Sequence, residues 1–194
     1  ALDYKENKVA RSLANGKSEM IGIIIPDLFL HYYSQILNCL INTYSKYNYK
    51  FLVFVENHDT NEESKYNKEM NYIKELMAYQ IEGLIILSNT IDSKTLSELN
   101  IPIVSIERED KYISSVNSDN YAGAFKATNL LIDNNCDILI HINTDVSEEI
   151  PSYKRIEAFK KACEDRNCKY KCYLSHLGHN FEETYVNMSK LYDD

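Results

Sequence analysis

The sequence predicts an α/β protein organised around parallel sheet, on two observations. Short, nearly continuous apolar runs alternate with longer segments whose apolar residues recur at helical spacing, and that alternation is the pattern of βαβ units with strands buried on both faces. The chain has 194 residues, 44% hydrophobic and 26% charged, long enough for one large domain or two small ones with real cores and too apolar to stay disordered.

The elements follow in order. Asn7 is placed to cap a short helix over Val9 to Ala14, and Asn15-Gly16 supplies a left-handed stop. A helix of about two turns is not stable alone in water, so this one is expected to order only against a partner. A buried strand over Ile21–Ile25 comes next, then a helical stripe through Tyr33, Ile36, Leu37, Leu40, Ile41 and Tyr44. Strand Phe51–Val55 precedes a second stripe, Tyr66, Met70, Ile73, Leu76 and Met77, and both stripes read as core. Strands Leu84–Leu87 and Ile103–Ile106 follow, then a poor strand near Ser114–Ser118 where the chain is expected to cross between α/β subdomains. The remaining elements are helix Ala122–Ile132, strand Ile138–Ile142, helix Tyr153–Asp165, strand Tyr170–Leu174 and helix Phe181–Leu191.

Charge is unevenly distributed. The formal net charge is -8, yet Lys5, Lys8, Arg11 and Lys17 cluster around the first helix, a local contrast that suits a phosphate-facing element. Leu13 there has few apolar partners, and an apolar side chain flanked by basic residues can act as a wedge in a minor groove. The alternative is a frayed amphipathic tail.

Four segments, in order, carry a resemblance. They are Asn7 to Ser18 running into Ile21-Gly22-Ile23-Ile24-Ile25-Pro26-Asp27; Ile101-Pro102-Ile103-Val104 leading to Ile106-Glu107-Arg108; Ser115-Val116-Asn117-Ser118-Asp119-Asn120-Tyr121-Ala122-Gly123-Ala124; and Pro151-Ser152 with Arg155 and Phe159. Together they resemble the hinge helix and effector-binding core of the LacI/GalR family of transcriptional repressors. The resemblance implies a periplasmic-binding-protein-like fold of two Rossmann-like parallel-sheet subdomains clasping a ligand, the second incomplete in this chain. It divides the sequence into a hinge over residues 1–18 that would follow a DNA-binding head, a first subdomain over 19–116 and part of a second over 117–194. It also implies a ligand-responsive regulator, a probable repressor, with a sugar or related small polar metabolite as effector, operator DNA as partner of the full-length protein, and a homodimer. Lys8, Arg11 and Leu13 would face DNA.

Ligands of open α/β sheets sit beyond the carboxyl ends of the strands, where Asp27, Asn57, Ser88, Arg108 and the loop ending at Arg155 fall. A sugar needs bidentate partners for hydroxyl pairs and an aromatic platform for its ring face. Asp27, Arg108, Asp119 and Arg155 suit the first need, and Phe29, Tyr32 and Tyr33 the second. The resemblance places Tyr32-Tyr33 as an aromatic pair opening the first core helix, Asp119 near the cleft and Arg155 as a clamp on effector hydroxyls or a carboxylate. Tyr33 also lies in register with the core, and Asp119 could simply cap a helix. Leu30-His31 and Asn134-Asn135-Cys136 depart from the family's usual residues, which bears on effector identity and not on the fold.

Other classes find little support. There is no glycine-rich dinucleotide loop after a strand, no phosphate loop, no nucleophile elbow and no paired-histidine protease motif, so an enzyme is not expected. Gly16-Lys17-Ser18 precedes the first strand instead of following it. Cys163, Cys168, Cys172, His176 and His179 cluster, but their spacing does not match a paired zinc knuckle, so no metal and no cofactor are expected. Five scattered cysteines fit a reducing compartment, no apolar run reaches the ~20 residues that span a membrane, and the first residues lack a signal-peptide core; a cytoplasmic location is expected. The rivals are a transporter's sugar-binding protein, which has no use for the basic helix, and a degenerate α/β domain that has lost its ligand.

Overall fold

The computed structural model describes residues 16–28, 31–56, 62–88, 90–136, 138–144, 151–174 and 181–193. The basic segment with Lys8, Arg11 and Leu13 lies outside them, as do Phe29, Asn57, His176 and His179. The chain divides into two compact units, Ala1–Val116 and Asn117–Asp194.

In the first unit, β1 (Met20–Ile25), β2 (Lys50–Val55), β3 (Gly83–Ile86), β4 (Ile103–Ile106) and β5 (Ser114–Val116) form an all-parallel sheet in the order β2-β1-β3-β4-β5. Helix α1 (His31–Asn42) leads from β1 to β2, followed by the single turn α2 (Tyr44–Tyr47). Helix α3 (Glu62–Ala78) leads from β2 to β3, and the short α4 (Ser93–Ser97) from β3 to β4. Side chains alternate across the sheet, so β1 divides its isoleucines. Ile23 and Ile25 join Leu87 against Tyr33, Ile36, Leu37 and Leu40 of α1. Ile24 joins Ile73 and Leu76 of α3, with Ile86, Ile91 and Leu96, on the other face. Because β2 and β3 flank β1, the strand order reverses there, and the carboxyl ends of β1 and β3 frame the crevice that such sheets offer to ligands.

Gly22 is required by the α3 face. A Cβ at this position would stand 2.9 Å from both Ile81 Cδ1 and Leu76 Cδ1, so its absence lets α3 lie close on the sheet. Asp92 sets α4: its Oδ1 accepts from the backbone N–H groups of Lys94 and Thr95, each at 3.0 Å. At the amino end of the sheet, Glu82 accepts from the Glu19 backbone N–H (2.9 Å) and the Tyr49 hydroxyl (3.1 Å). The Glu19 contact, first, holds the Glu82 carboxyl below its ordinary range.

The second unit pairs β6 (Ile138–Asn143) with β7 (Lys169–Leu174) in parallel, and also contains α5 (Asn120–Asp133), α6 (Tyr153–Asp165) and α7 (Phe181–Asp193). Leu139, Phe159 and Cys163 form its core, with Ile132, Cys168 and Tyr170 packed around them. Period-two alternation puts Leu139, His141 and Asn143 on the covered face of β6, while Ile138 and Ile140 are more than half exposed on the other.

Three helices stop in the same way. After α3, Gln80 and Ile81 donate to the carbonyls of Met77 and Leu76; after α5, Asn135 and Cys136 to those of Ile132 and Leu131; after α6, Asn167 and Cys168 to those of Glu164 and Cys163. These are Schellman closures. The left-handed position is held by Gln80, Asn135 and Asn167, at φ of 57°, 58° and 50°, and not by glycine.

Candidate functional site

In the first unit the carboxyl ends of the strands bring acidic groups around one phenol. Asp27 follows β1 and is 4% exposed, Glu56 follows β2, and Glu107 follows β4 at a left-handed φ of 58°. Tyr33, on the first turn of α1, is close enough to all three for their charges to act on it. Burial first, then Asp27, Glu56 and Glu107, push its phenol above the ordinary value. Tyr33 also packs on the Ile23 and Ile25 core, so its ring serves the core and its hydroxyl end faces the acidic cluster. Tyr32 stands exposed beside it, with ring centroids 5.3 Å apart and an edge-to-face geometry. His31 lies exposed at the helix start and shares a hydrogen bond with Gln35 Nε2 at 2.8 Å.

Arg108, expected as an effector contact, is bonded within its own unit: Nη1 donates to the Ser88 carbonyl (2.9 Å), Nη2 donates to the Ile91 carbonyl (3.0 Å) and to Asp110 Oδ1 (2.9 Å), and Nε lies 2.7 Å from Asp110 Oδ2. Both side chains of this pair are nearly buried. The carboxylate two residues on neutralises the guanidinium, and the two carbonyls fix the loop after β3.

In the second unit, Asp119 is the N-cap of α5, its Oδ1 accepting from the Ala122 N–H at 2.9 Å. Its neighbour Asn120, buried and unremarked in the sequence, turns the other way: Oδ1 accepts from Arg155 Nε at 2.5 Å while Nδ2 donates to the Ser118 carbonyl at 3.4 Å. The Asp-Asn pair thus divides its work between capping a helix and aiming an arginine. Arg155 sits on the first turn of α6, and its terminal nitrogens have no hydrogen-bond partner among the described residues. His141, on the covered face of β6, contacts the Phe159 ring at a centroid distance of 4.9 Å. Burial, then the Arg155 charge, lower its pKa below the ordinary imidazole value.

The structure therefore gathers Asp27 and Tyr33 with Glu56 and Glu107 in one unit, and Arg155 with Asn120 and His141 in the other. Glu56, Glu107, Asn120 and His141 were not singled out from sequence. The first three follow or adjoin the strand ends and motifs already marked, which was the usable signal; His141 gave none. Among the described residues no group of three or more histidines, cysteines or acids could hold a metal ion. Burial, as the first cause, raises the thiols of Cys163 and Cys172, so neither is activated.

No family model matches the chain. Among curated proteins, the ribose operon repressor of Halalkalibacterium halodurans is 30% identical over 166 residues, covering 85% of this chain and 48% of that protein. Catabolite control protein A of Staphylococcus epidermidis is 33% identical over 137 residues, 68% of this chain and 40% of that one. Among solved structures, the ribose operon repressor protein of Lactobacillus acidophilus superposes with a TM-score of 0.71 at 24% identity, over 90% of this chain and 63% of that one. The Lac repressor dimer bound to operator and the anti-inducer ONPF gives 0.74 at 18%, over 98% and 66%. These structures share the periplasmic-binding-protein-like fold. The chain spans about half the length of the curated relatives it matches. Over that span, carrying two α/β units and the four motif segments in order, it belongs to the LacI/GalR family of transcriptional regulators.

Proposed function

We propose that this chain is the effector-binding and dimerisation core of a cytoplasmic, ligand-responsive transcriptional repressor whose signal is a sugar or related small polar metabolite. It acts as a binding protein, not an enzyme. One observation in the site supports the reading most: Arg155 is oriented through Nε by a buried neutral amide, Asn120, and its terminal nitrogens have no hydrogen-bond partner among the described residues. Arg108, by contrast, is held by a carboxylate and two carbonyls.

In this reading residues 1–18 link the core to a DNA-binding head, with Lys8 and Arg11 on phosphates and Leu13 as the wedge. Residues 19–116 and 117–194 contribute to the two effector-binding subdomains, through Asp27, Tyr32 and Tyr33 in the first and Asp119, Asn120 and Arg155 in the second. Effector binding shifts the equilibrium between two placements of paired chains, and the hinge helices gain or lose their fit to a palindromic operator.

The test is binding of the full-length gene product to its own upstream DNA by fluorescence anisotropy, at two salt concentrations and with a sugar panel. Salt-sensitive binding that one metabolite modulates is expected, since phosphate contacts release counterions and only coupling makes DNA affinity depend on effector. In Arg155→Ala the modulation should disappear while DNA binding without effector persists. DNA binding that no metabolite alters would overturn the effector reading, and absence of DNA binding at low salt would overturn the repressor reading.

A further inference from the structure

We propose that His141 and Asn143, together with Arg155, form an anion-reading corner in the second unit, which takes the phosphate or carboxylate of an acidic sugar derivative. The inference rests on the effector-binding reading and adds two residues and a ligand class to it.

Among the described residues there are three arginines, and they are treated differently. Arg108 is paired with Asp110, and Arg166 Nη2 with Asp133 Oδ1 at 2.9 Å. Of the three, Arg155 alone has no carboxylate partner among the described residues: Asn120 fixes its direction without cancelling its charge. In a chain of net charge -8, an arginine beside a strand end that acquires no carboxylate is left with its charge for an incoming group.

Two further polar atoms point the same way. His141 Nε2 and Asn143 Nδ2 are buried and have no hydrogen-bond partner among the described residues. Both lie on the covered face of β6, two residues apart, and Asn143 is the last residue of the strand, where open α/β sheets meet their ligands. Buried orphans of this kind are rare in folded proteins and call for a partner beyond the described residues. Asn143 Nδ2 is a donor, as are the Arg155 terminal nitrogens, and the His141 imidazole donates from Nε2 in that tautomer. Its depressed pKa keeps the ring neutral near pH 7, so it adds a hydrogen bond without adding a second full charge beside Arg155.

A set dominated by donors and carrying one unbalanced positive charge matches oxygens that only accept. Phosphate and carboxylate oxygens do so, whereas each hydroxyl of a neutral sugar must also place a proton.

The experiment is calorimetric titration of the full-length protein with ribose phosphate, glucose phosphate, gluconate, ribose, glucose and inorganic phosphate. A phosphorylated sugar or the aldonate should bind at least ~10-fold more tightly than its neutral parent, the loss that accompanies one charge-assisted hydrogen bond. The phosphate and carboxylate arms identify which acid the corner takes. Asn143→Ala and His141→Leu should each reduce affinity for that acid by about 10-fold and leave the neutral parent unchanged. His141→Gln, which keeps a polar group and guards against a misfolded leucine variant, should fall between. Neutral sugars binding as tightly as their acids, acid affinity unmoved by His141→Gln and Asn143→Ala, or no acid binding at all would each overturn the anion corner. A neutral sugar that still modulates DNA binding would then leave the effector reading standing.

Discussion

Glu56→Gln should stabilise the protein in alkaline solution and leave it nearly unchanged in acid. Glu56 follows β2 at the crevice end of the sheet and faces Glu69 of α3, which is 0% exposed. Apart from each other, both oxygens of Glu69 and Oε1 of Glu56 are buried without a hydrogen-bond partner among the described residues. Burial first, then the hydrogen bond and charge of Glu69, push the Glu56 carboxyl from 4.5 up to about 8, against the weaker opposing charges of Lys65 and Lys68. Glu56 therefore keeps its proton at neutral pH, in a hydrogen bond with Glu69. Below pH 4.5 folded and unfolded chains both carry that proton and the pair has no pH-dependent effect. As pH rises the unfolded chain releases it while the folded chain retains it, so stability falls until the folded carboxyl ionises near pH 8. At about 1.4 kcal/mol per pH unit, and halved because Glu56 is only partly buried, the loss is about 2–3 kcal/mol. Glutamine cannot ionise and offers Glu69 an amide donor at every pH. Urea denaturation followed by circular dichroism at pH about 4, 6 and 9 should show wild type and variant converging in acid and separating by about 2–3 kcal/mol in base. A difference that is constant with pH, or a variant less stable at the highest pH, would refute the raised Glu56 carboxyl.

Two other substitutions probe the scaffold of the first unit. Gly22→Ala drives a methyl into Leu76 and Ile81, each 2.9 Å from the new carbon, and should lower stability by about 1–3 kcal/mol in the same denaturation assay; a neutral result would mean that α3 can move away from the sheet. Asp110→Ala strips the Arg108 guanidinium of its counter-charge in a nearly buried site and should lower stability by about 3–5 kcal/mol. In Arg108→Met/Asp110→Leu, which removes both charges, most of that loss should be recovered, and failure to recover it would place the importance of Arg108 in its bonds to the loop after β3.

The sheet was legible in the sequence because a buried parallel strand needs both faces apolar, and few segments satisfy that. The third strand runs one residue earlier than read, at Gly83–Ile86, since Gly83 is apolar enough to be buried without announcing a strand. Helix α1 begins at His31, beside the Tyr32-Tyr33 pair expected to open it, although polar residues on a solvated turn leave no mark in an apolar stripe. Arg155 could be marked from its motif; the role of Asn120 could not, since the two neighbours of an Asp-Asn pair are equally good caps and only the packing of α6 decides which meets the arginine. The partners of Arg108 were equally hidden: nothing in its spacing says that Asp110 will fold back on it. His141 and Asn143 were hidden by period two, which makes a polar residue in a strand look solvated when its neighbours are apolar, although here the isoleucines are the exposed set.

The three Schellman closures bear on how the molecule could be handled in the laboratory. Gln80, Asn135 and Asn167 occupy backbone states in which any side chain is strained and glycine is not. None of the three is a residue assigned to binding, and commonly such cap exchanges yield about 0.5–2 kcal/mol apiece. A chain that carries only five glycines has left these positions unoptimised. Replacing the three amides by glycine gives a toughened background on which damaging substitutions in either unit can be made soluble enough to weigh, separating what a residue does for binding from what it does for folding.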